Sequence, residues 1–120
     1  MKRYAVIFLM VLGIPAFSQV SEDKTALVRA TTVGLAETRE IRLADDGKSL
    51  IVGEFVIPVS TNTHVKIAKR RTTWVEFSLQ QGTAIIRTND PSWRRASFSL
   101  EFKSREAAKK FLAAFQRAAQ

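Results

Sequence analysis

A chain of 120 residues without cysteine can form neither a disulfide bond nor a lipoprotein attachment. Its 19 lysine and arginine residues outnumber 11 aspartate and glutamate residues, and the formal net charge of +8 favours anionic partners or surfaces. A single histidine excludes any metal site that needs two histidine ligands, and it restricts the catalytic arrangements that are possible. The composition predicts one basic domain with one hydrophobic core.

The first residues have the pattern of a cleavable export signal. Two basic residues precede an apolar run from Tyr4 to Gly13, and Ala16 and Ser18 are small residues at the places that precede a cleavage point. The run is shorter than the roughly 20 apolar residues that span a bilayer. We therefore expect a signal peptide over residues 1–18. The rest of the chain, residues 19–120, would form a periplasmic or secreted bacterial domain, because small eukaryotic secreted domains usually carry disulfides.

Alternating apolar and polar residues predict about seven short strands after the cleavage point. Turn residues separate them, most clearly from Asp45 to Lys48 and from Asn89 to Ser92. The predicted strands cover residues 25–35, 38–43, 49–57, 64–70, 73–79, 83–88 and 96–103.

At Ser104 the apolar period changes from two to about 3.6 residues, which predicts an amphipathic helix over residues 104–119. The Ser104 hydroxyl can cap this helix, and Glu106 in the first turn and Arg117 in the last turn suit its dipole. Its apolar stripe consists of Ala108, Phe111, Leu112, Phe115 and Ala119.

The predicted fold is mainly β: about seven antiparallel strands in a small barrel or sandwich, capped by one C-terminal helix. Short loops suit an antiparallel meander. Two sheets of roughly four and three strands would leave one open corner, and Phe111, Leu112 and Phe115 of the helix would fill it.

Seven strands followed by a C-terminal helix resemble the pleckstrin-homology-like superfold. The alternating strand and capped helix from Phe98 to Phe115 look like the end of such a domain. Members that bind phosphoinositides carry a basic cluster around the first hairpin. Here Arg29, Arg39 and Arg42 are interleaved with glutamates, so we do not transfer a lipid headgroup site. The resemblance implies a fold and not a ligand, because one superfold hosts many functions.

No catalytic, cofactor or metal site is predicted, and we expect a protein that is not an enzyme. His64 begins a strand after a polar loop and is interpreted as a surface residue. Asp45 and Asp46 lack the spacing of a calcium loop. None of the five glycines belongs to a phosphate-binding loop.

Basic residues gather at two predicted bends, and a tryptophan accompanies the second. If both bends lie on one rim, they form a cationic patch suited to carboxylate or phosphate groups, because arginine offers a bidentate fork. A solvated charge cluster remains the alternative. The predicted basic rim consists of Lys69, Arg70, Arg71, Trp93, Arg94 and Arg95.

The sequence favours an exported binding domain whose basic rim engages an acidic protein or an anionic envelope surface, with no specific nucleic acid. One alternative is a small inhibitor or assembly subunit that binds through an exposed sheet edge by strand addition. A third hypothesis is a hydrolase that relies on His64 with carboxylates.

Overall fold

The computed structural model describes the backbone of residues 13–120 and the side chains of residues 22–120. This part of the chain contains a helix, eight strands and a second helix, in that order. The helices are α1 (Gly13–Gly34) and α2 (Arg105–Ala119), and the strands are β1 (Ile41–Leu43), β2 (Ser49–Val52), β3 (Phe55–Pro58), β4 (Thr63–Lys69), β5 (Thr73–Leu79), β6 (Ile85–Arg87), β7 (Asp90–Arg95) and β8 (Ser97–Phe102).

The strands form two antiparallel sheets that are arranged like a sandwich and do not close into a barrel. One sheet has five strands in the order β1-β2-β3-β6-β7, and the other has three in the order β4-β5-β8. The predicted mainly β class with a C-terminal helix is confirmed. The sheets contain five and three strands rather than about four and three.

Residues 25–35 are not the strand that the sequence predicted, since α1 covers them as far as Gly34. Leu27, Thr31 and Leu35 recur every four residues, and all three side chains are buried. The Thr31 hydroxyl donates to the carbonyl oxygen of Leu27 at 2.7 Å, which satisfies a buried polar group inside a helix. Packing of this stripe outweighs the strand preference of threonine and valine.

Two strand boundaries differ from the prediction because each contains a two-residue turn that the sequence analysis did not identify. Gly53, with a φ of 62°, and Glu54 divide the predicted strand 49–57 into β2 and β3. Thr88 and Asn89 form the turn between β6 and β7, so most of the predicted turn after Asn89 is strand. The predicted turn from Asp45 to Lys48 is confirmed, and there the Lys48 N–H donates to an Asp46 carboxylate oxygen at 2.9 Å.

The predicted signal peptide covers residues 1–18. Its residues 1–12 lie outside the described part of the chain, and only the backbone of residues 13–18 is described. In the uncleaved chain, α1 begins at Gly13 and continues through the predicted cleavage point between Ser18 and Gln19. Within the described residues, neither helix combines the length and the hydropathy that a membrane span requires.

Helix α2 closes the core through Phe111 and Phe115, as the sequence predicted, whereas Leu112, which was predicted to fill the same corner, is only half-buried and lies outside the core. Ser104 caps it by accepting a hydrogen bond from the Ala107 N–H at 3.1 Å. Phe111 and Phe115 are fully buried, and both rings pack edge-on against Phe77 of β5.

Backbone hydrogen bonds tie the end of α1 to the end of β8. The Lys103 N–H donates to the Gly34 carbonyl oxygen at 2.8 Å, and the Ala36 N–H donates to the Glu101 carbonyl oxygen at 3.0 Å. These bonds cover one end of an edge strand and hold α1 beside α2.

We expect Phe111→Ala to lower the free energy of unfolding by about 3–5 kcal/mol, because it removes a fully buried ring and leaves a cavity. Leu112→Ala is the matched control, because Leu112 is adjacent in α2 and only half-buried. Urea denaturation of both variants measures the difference. Equal losses of stability would contradict this description of the core.

Candidate functional site

The structure separates the predicted basic rim into two groups. In the three-stranded sheet, Thr73 of β5 pairs with Phe102 of β8, whereas Ser78 pairs with Ser97. The turn at Arg70 therefore lies at one end of this sheet, and Arg95, two residues before Ser97, lies at the other. Lys69, Arg70 and Arg71 do not share a rim with Trp93, Arg94 and Arg95.

In the first group, the charge of Arg70 is already compensated within the protein. Its guanidinium forms an ion pair with Glu76, and its Cζ atom lies 5.6 Å from the centroid of the Trp74 ring. Lys69 and Arg71 are exposed, and neither forms an ion pair with a side chain that the structure describes. Lys69 ends β4 and Arg71 lies in the bend that follows, and both charges are exposed to solvent.

In the second group, strand β7 turns its two arginines to opposite faces of the sheet. Arg95 pairs across the sheet with Ile85, whose side chain is fully buried, and Arg94 pairs with Ile86. Paired residues on antiparallel strands share a face, so Arg95 lies on the core side and Arg94 on the outer side.

Trp93 lies between two arginines where the core side of the five-stranded sheet opens to solvent. The Cζ atom of Arg95 is 4.8 Å from the Trp93 ring centroid, and that of Arg87 is 5.8 Å from it. Phe55 supports the tryptophan at a centroid distance of 5.5 Å, and Arg39 lies over Phe55 at 5.8 Å. We call Arg39, Phe55, Arg87, Trp93 and Arg95 the arginine–tryptophan corner.

Two of the three arginines in this corner have acidic partners, and the third does not. Arg87 pairs with Glu54 at 2.9 Å, and Arg39 pairs with Glu37 at 2.8 Å. Arg95 forms no ion pair with any described side chain.

The guanidinium of Arg95 is nevertheless held in place. It stacks over Trp93 and donates through Nη1 to the carbonyl oxygen of Arg94 at 3.1 Å. Among the described residues, Arg95 is therefore an oriented cation of the corner with no carboxylate within ion-pairing distance.

Sequence reasoning identified Trp93 and Arg95 but missed the other members of the corner. Phe55 pairs with Arg87 across β3 and β6, and this pairing brings both residues to the tryptophan. Trp93 and Arg95 are two residues apart, and in a strand this spacing places both side chains on the same face of the sheet. The approach of Arg39, Phe55 and Arg87 depends on sheet order, which local patterns do not specify.

Strand β7, one of the two edge strands of the five-stranded sheet, is poorly suited to strand addition. Strand β7 carries Pro91, which lacks an N–H group, and its pairing with β6 is irregular between Ile86 and Arg87. Arg94 and Arg95 add charge to the same edge. Proline, irregular pairing and charge are features that protect edge strands from further pairing.

His64 is exposed at the start of β4 and lines a cavity of about 370 Å³. Hydroxyl, amide and apolar side chains form the rest of that cavity, which contains no aspartate or glutamate side chain among the described residues. The described part of the chain also holds no group of three or more side chains that could bind a metal ion.

The sequence matches no protein-family model, no curated protein and no solved structure.

Proposed function

We propose that this chain is an exported binding module without enzymatic activity, and that its arginine–tryptophan corner engages an acidic segment of a partner protein. One observation carries the proposal: Arg95 is oriented over Trp93 and has no carboxylate partner among the described residues. A carboxylate from another molecule would supply the missing partner.

The corner suits a carboxylate because its guanidinium is already oriented. Stacking on Trp93 and the bond to the Arg94 carbonyl oxygen restrict the rotamers of Arg95 before a ligand arrives. Less side-chain entropy is then lost on binding. The half-buried Trp93 ring can also contact an apolar side chain next to the acidic one.

An acidic protein segment fits the corner better than an anionic membrane surface does. A flat anionic surface is held by several cations that point the same way. Here Arg94 and Arg95 lie on opposite faces of β7, and Arg87 is neutralised by Glu54. One available guanidinium matches a single carboxylate group.

Export and the pleckstrin-homology-like layout belong to the same proposal. The short strands followed by α2 support the layout, whereas α1 before β1 and the pairing of β3 with β6 and of β5 with β8 depart from a meander of consecutive strands. We expect the protein isolated from the producing cells to begin at Gln19, because signal peptidase cleaves after small residues such as Ser18. Amino-terminal sequencing measures this, and an intact Met1 in the isolated protein would contradict export by cleavage.

To test the corner, we compare Arg95→Glu with Arg94→Glu in binding to polyglutamate. Arg95→Glu should weaken binding about tenfold or more, since a charge-assisted hydrogen bond contributes about 1.5–3 kcal/mol. Arg94→Glu makes the same change of charge one residue away on the other face, and it should change affinity by less than about threefold. Raising the salt concentration should weaken binding of the unmodified protein.

The same comparison with vesicles that contain anionic lipid separates the two kinds of partner. Salt-sensitive vesicle binding that depends on Arg95, without polyglutamate binding, would replace the acidic protein segment by an anionic surface. Equal effects of the two substitutions on polyglutamate binding would exclude the corner as the site.

A further inference from the structure

A groove with a volume of about 540 Å³ runs between α1 and α2, and its floor is apolar. Ala26, Ala30 and Val33 line it from α1, and Ala107 lines it from α2. Val33 is 63% exposed, and it is the only exposed large apolar side chain among those that the structure describes. Concave apolar surfaces of this size are typical of binding sites.

Small residues keep this groove open. The end of α1 lies so close to its neighbours that a Cβ atom added at Gly34 would be 2.9 Å from Cδ2 of Phe102 and 3.3 Å from Cβ of Ala107. Alanine side chains then form the floor, so the two helices approach closely without filling the space above their contact. The backbone bond between Lys103 and Gly34 holds the helix ends in this position.

Positive charges stand on both sides of the apolar floor. Arg29 lies on α1, Lys110 lies on α2, and Lys103 lies at the end of the groove beside the start of α2. Glu106 is the one acidic side chain among the described residues that line the groove. A ligand that matches these charges carries apolar groups along its centre and anionic groups along both flanks.

We propose that the groove binds an acidic amphipathic helix of a partner protein. The apolar stripe of that helix would lie on the alanine floor and against Val33, and its flanking carboxylates would pair with Arg29 on one side and Lys110 on the other. This is the helix-in-groove mode of recognition. The concave floor fits a helix ridge and not a flat bilayer, and none of the residues that line the groove belongs to the arginine–tryptophan corner.

Charge-reversing substitutions at two neighbouring lysines, Lys110 and Lys109, should affect peptide binding differently. The probe is a synthetic helical peptide of the same length as α2, 15 residues, with leucine along one face and glutamate along both flanks. Lys110→Glu should weaken its binding about tenfold or more. Lys109→Glu is the matched control, because Lys109 is exposed and adjacent but does not line the groove. It should change affinity by less than about threefold.

Two further variants locate the peptide. Val33→Asp should also weaken binding, because it places a carboxylate beside the apolar floor, and an unchanged thermal unfolding midpoint would show that this exposed position tolerates it. Arg95→Glu, in the arginine–tryptophan corner, should leave peptide binding unchanged. Fluorescence anisotropy of a labelled peptide measures all four variants.

Several results would overturn the proposal. They are the absence of peptide binding, equal losses in Lys110→Glu and Lys109→Glu, or equally tight binding of a peptide that has lysine in place of glutamate. Loss of binding in Arg95→Glu would place the peptide at the corner instead. If the protein binds vesicles containing anionic lipid, loses that binding in Lys110→Glu and does not bind the peptide, the groove is a membrane contact instead.

Discussion

Aromatic packing around Phe77 holds α2 against the β-sheets. The Phe77 ring contacts Phe111 and Phe115 of α2 edge-on, and it lies beside Phe98 of the neighbouring strand at a centroid distance of 6.4 Å. Phe98 continues the contact to Phe55 of the other sheet at 4.7 Å. One series of aromatic rings therefore joins the helix to both sheets, and Phe55 extends it to the tryptophan of the corner. Four residues of the proposed site stand on strands that pack against this core, and Arg39 comes from the loop before β1.

The parts of the fold that the sequence predicted well are those with one strong period. Residues 73–79 and 96–103 alternate strictly, and the helix predicted over 104–119 begins one residue later in the structure. The strand predicted over residues 25–35 was wrong because their alanine, valine and threonine residues fit both a strand period of two and a helical period of 3.6. The packing of α1 against α2 favours the helical period. Local propensities do not predict that packing, because it joins residues that are distant in sequence.

The functional surfaces were predictable only in part, for a related reason. The sequence shows that Trp93 has arginines beside it, but not that Arg94 and Arg95 separate to opposite faces within an irregular strand pairing. Nor does it show which arginines are neutralised, because the Arg87–Glu54 pair joins residues that are distant in sequence. The groove between the helices could not be predicted, because the sequence had predicted a strand over the residues that form α1. In each case the missing information is the register or contact between elements.

The two tryptophans allow a direct test of the proposal that an acidic partner binds at Trp93 through Arg95. The chain has two tryptophans, and each has an arginine over its ring, so Trp74 provides an internal reference. We would record the two indole N–H signals by nitrogen-15 NMR while adding polyglutamate to saturation. If the partner binds at the corner, the Trp93 signal moves and the Trp74 signal stays, since Arg70 over Trp74 is already paired with Glu76. Movement of the Trp74 signal alone, or of neither signal at saturation, would contradict the proposal.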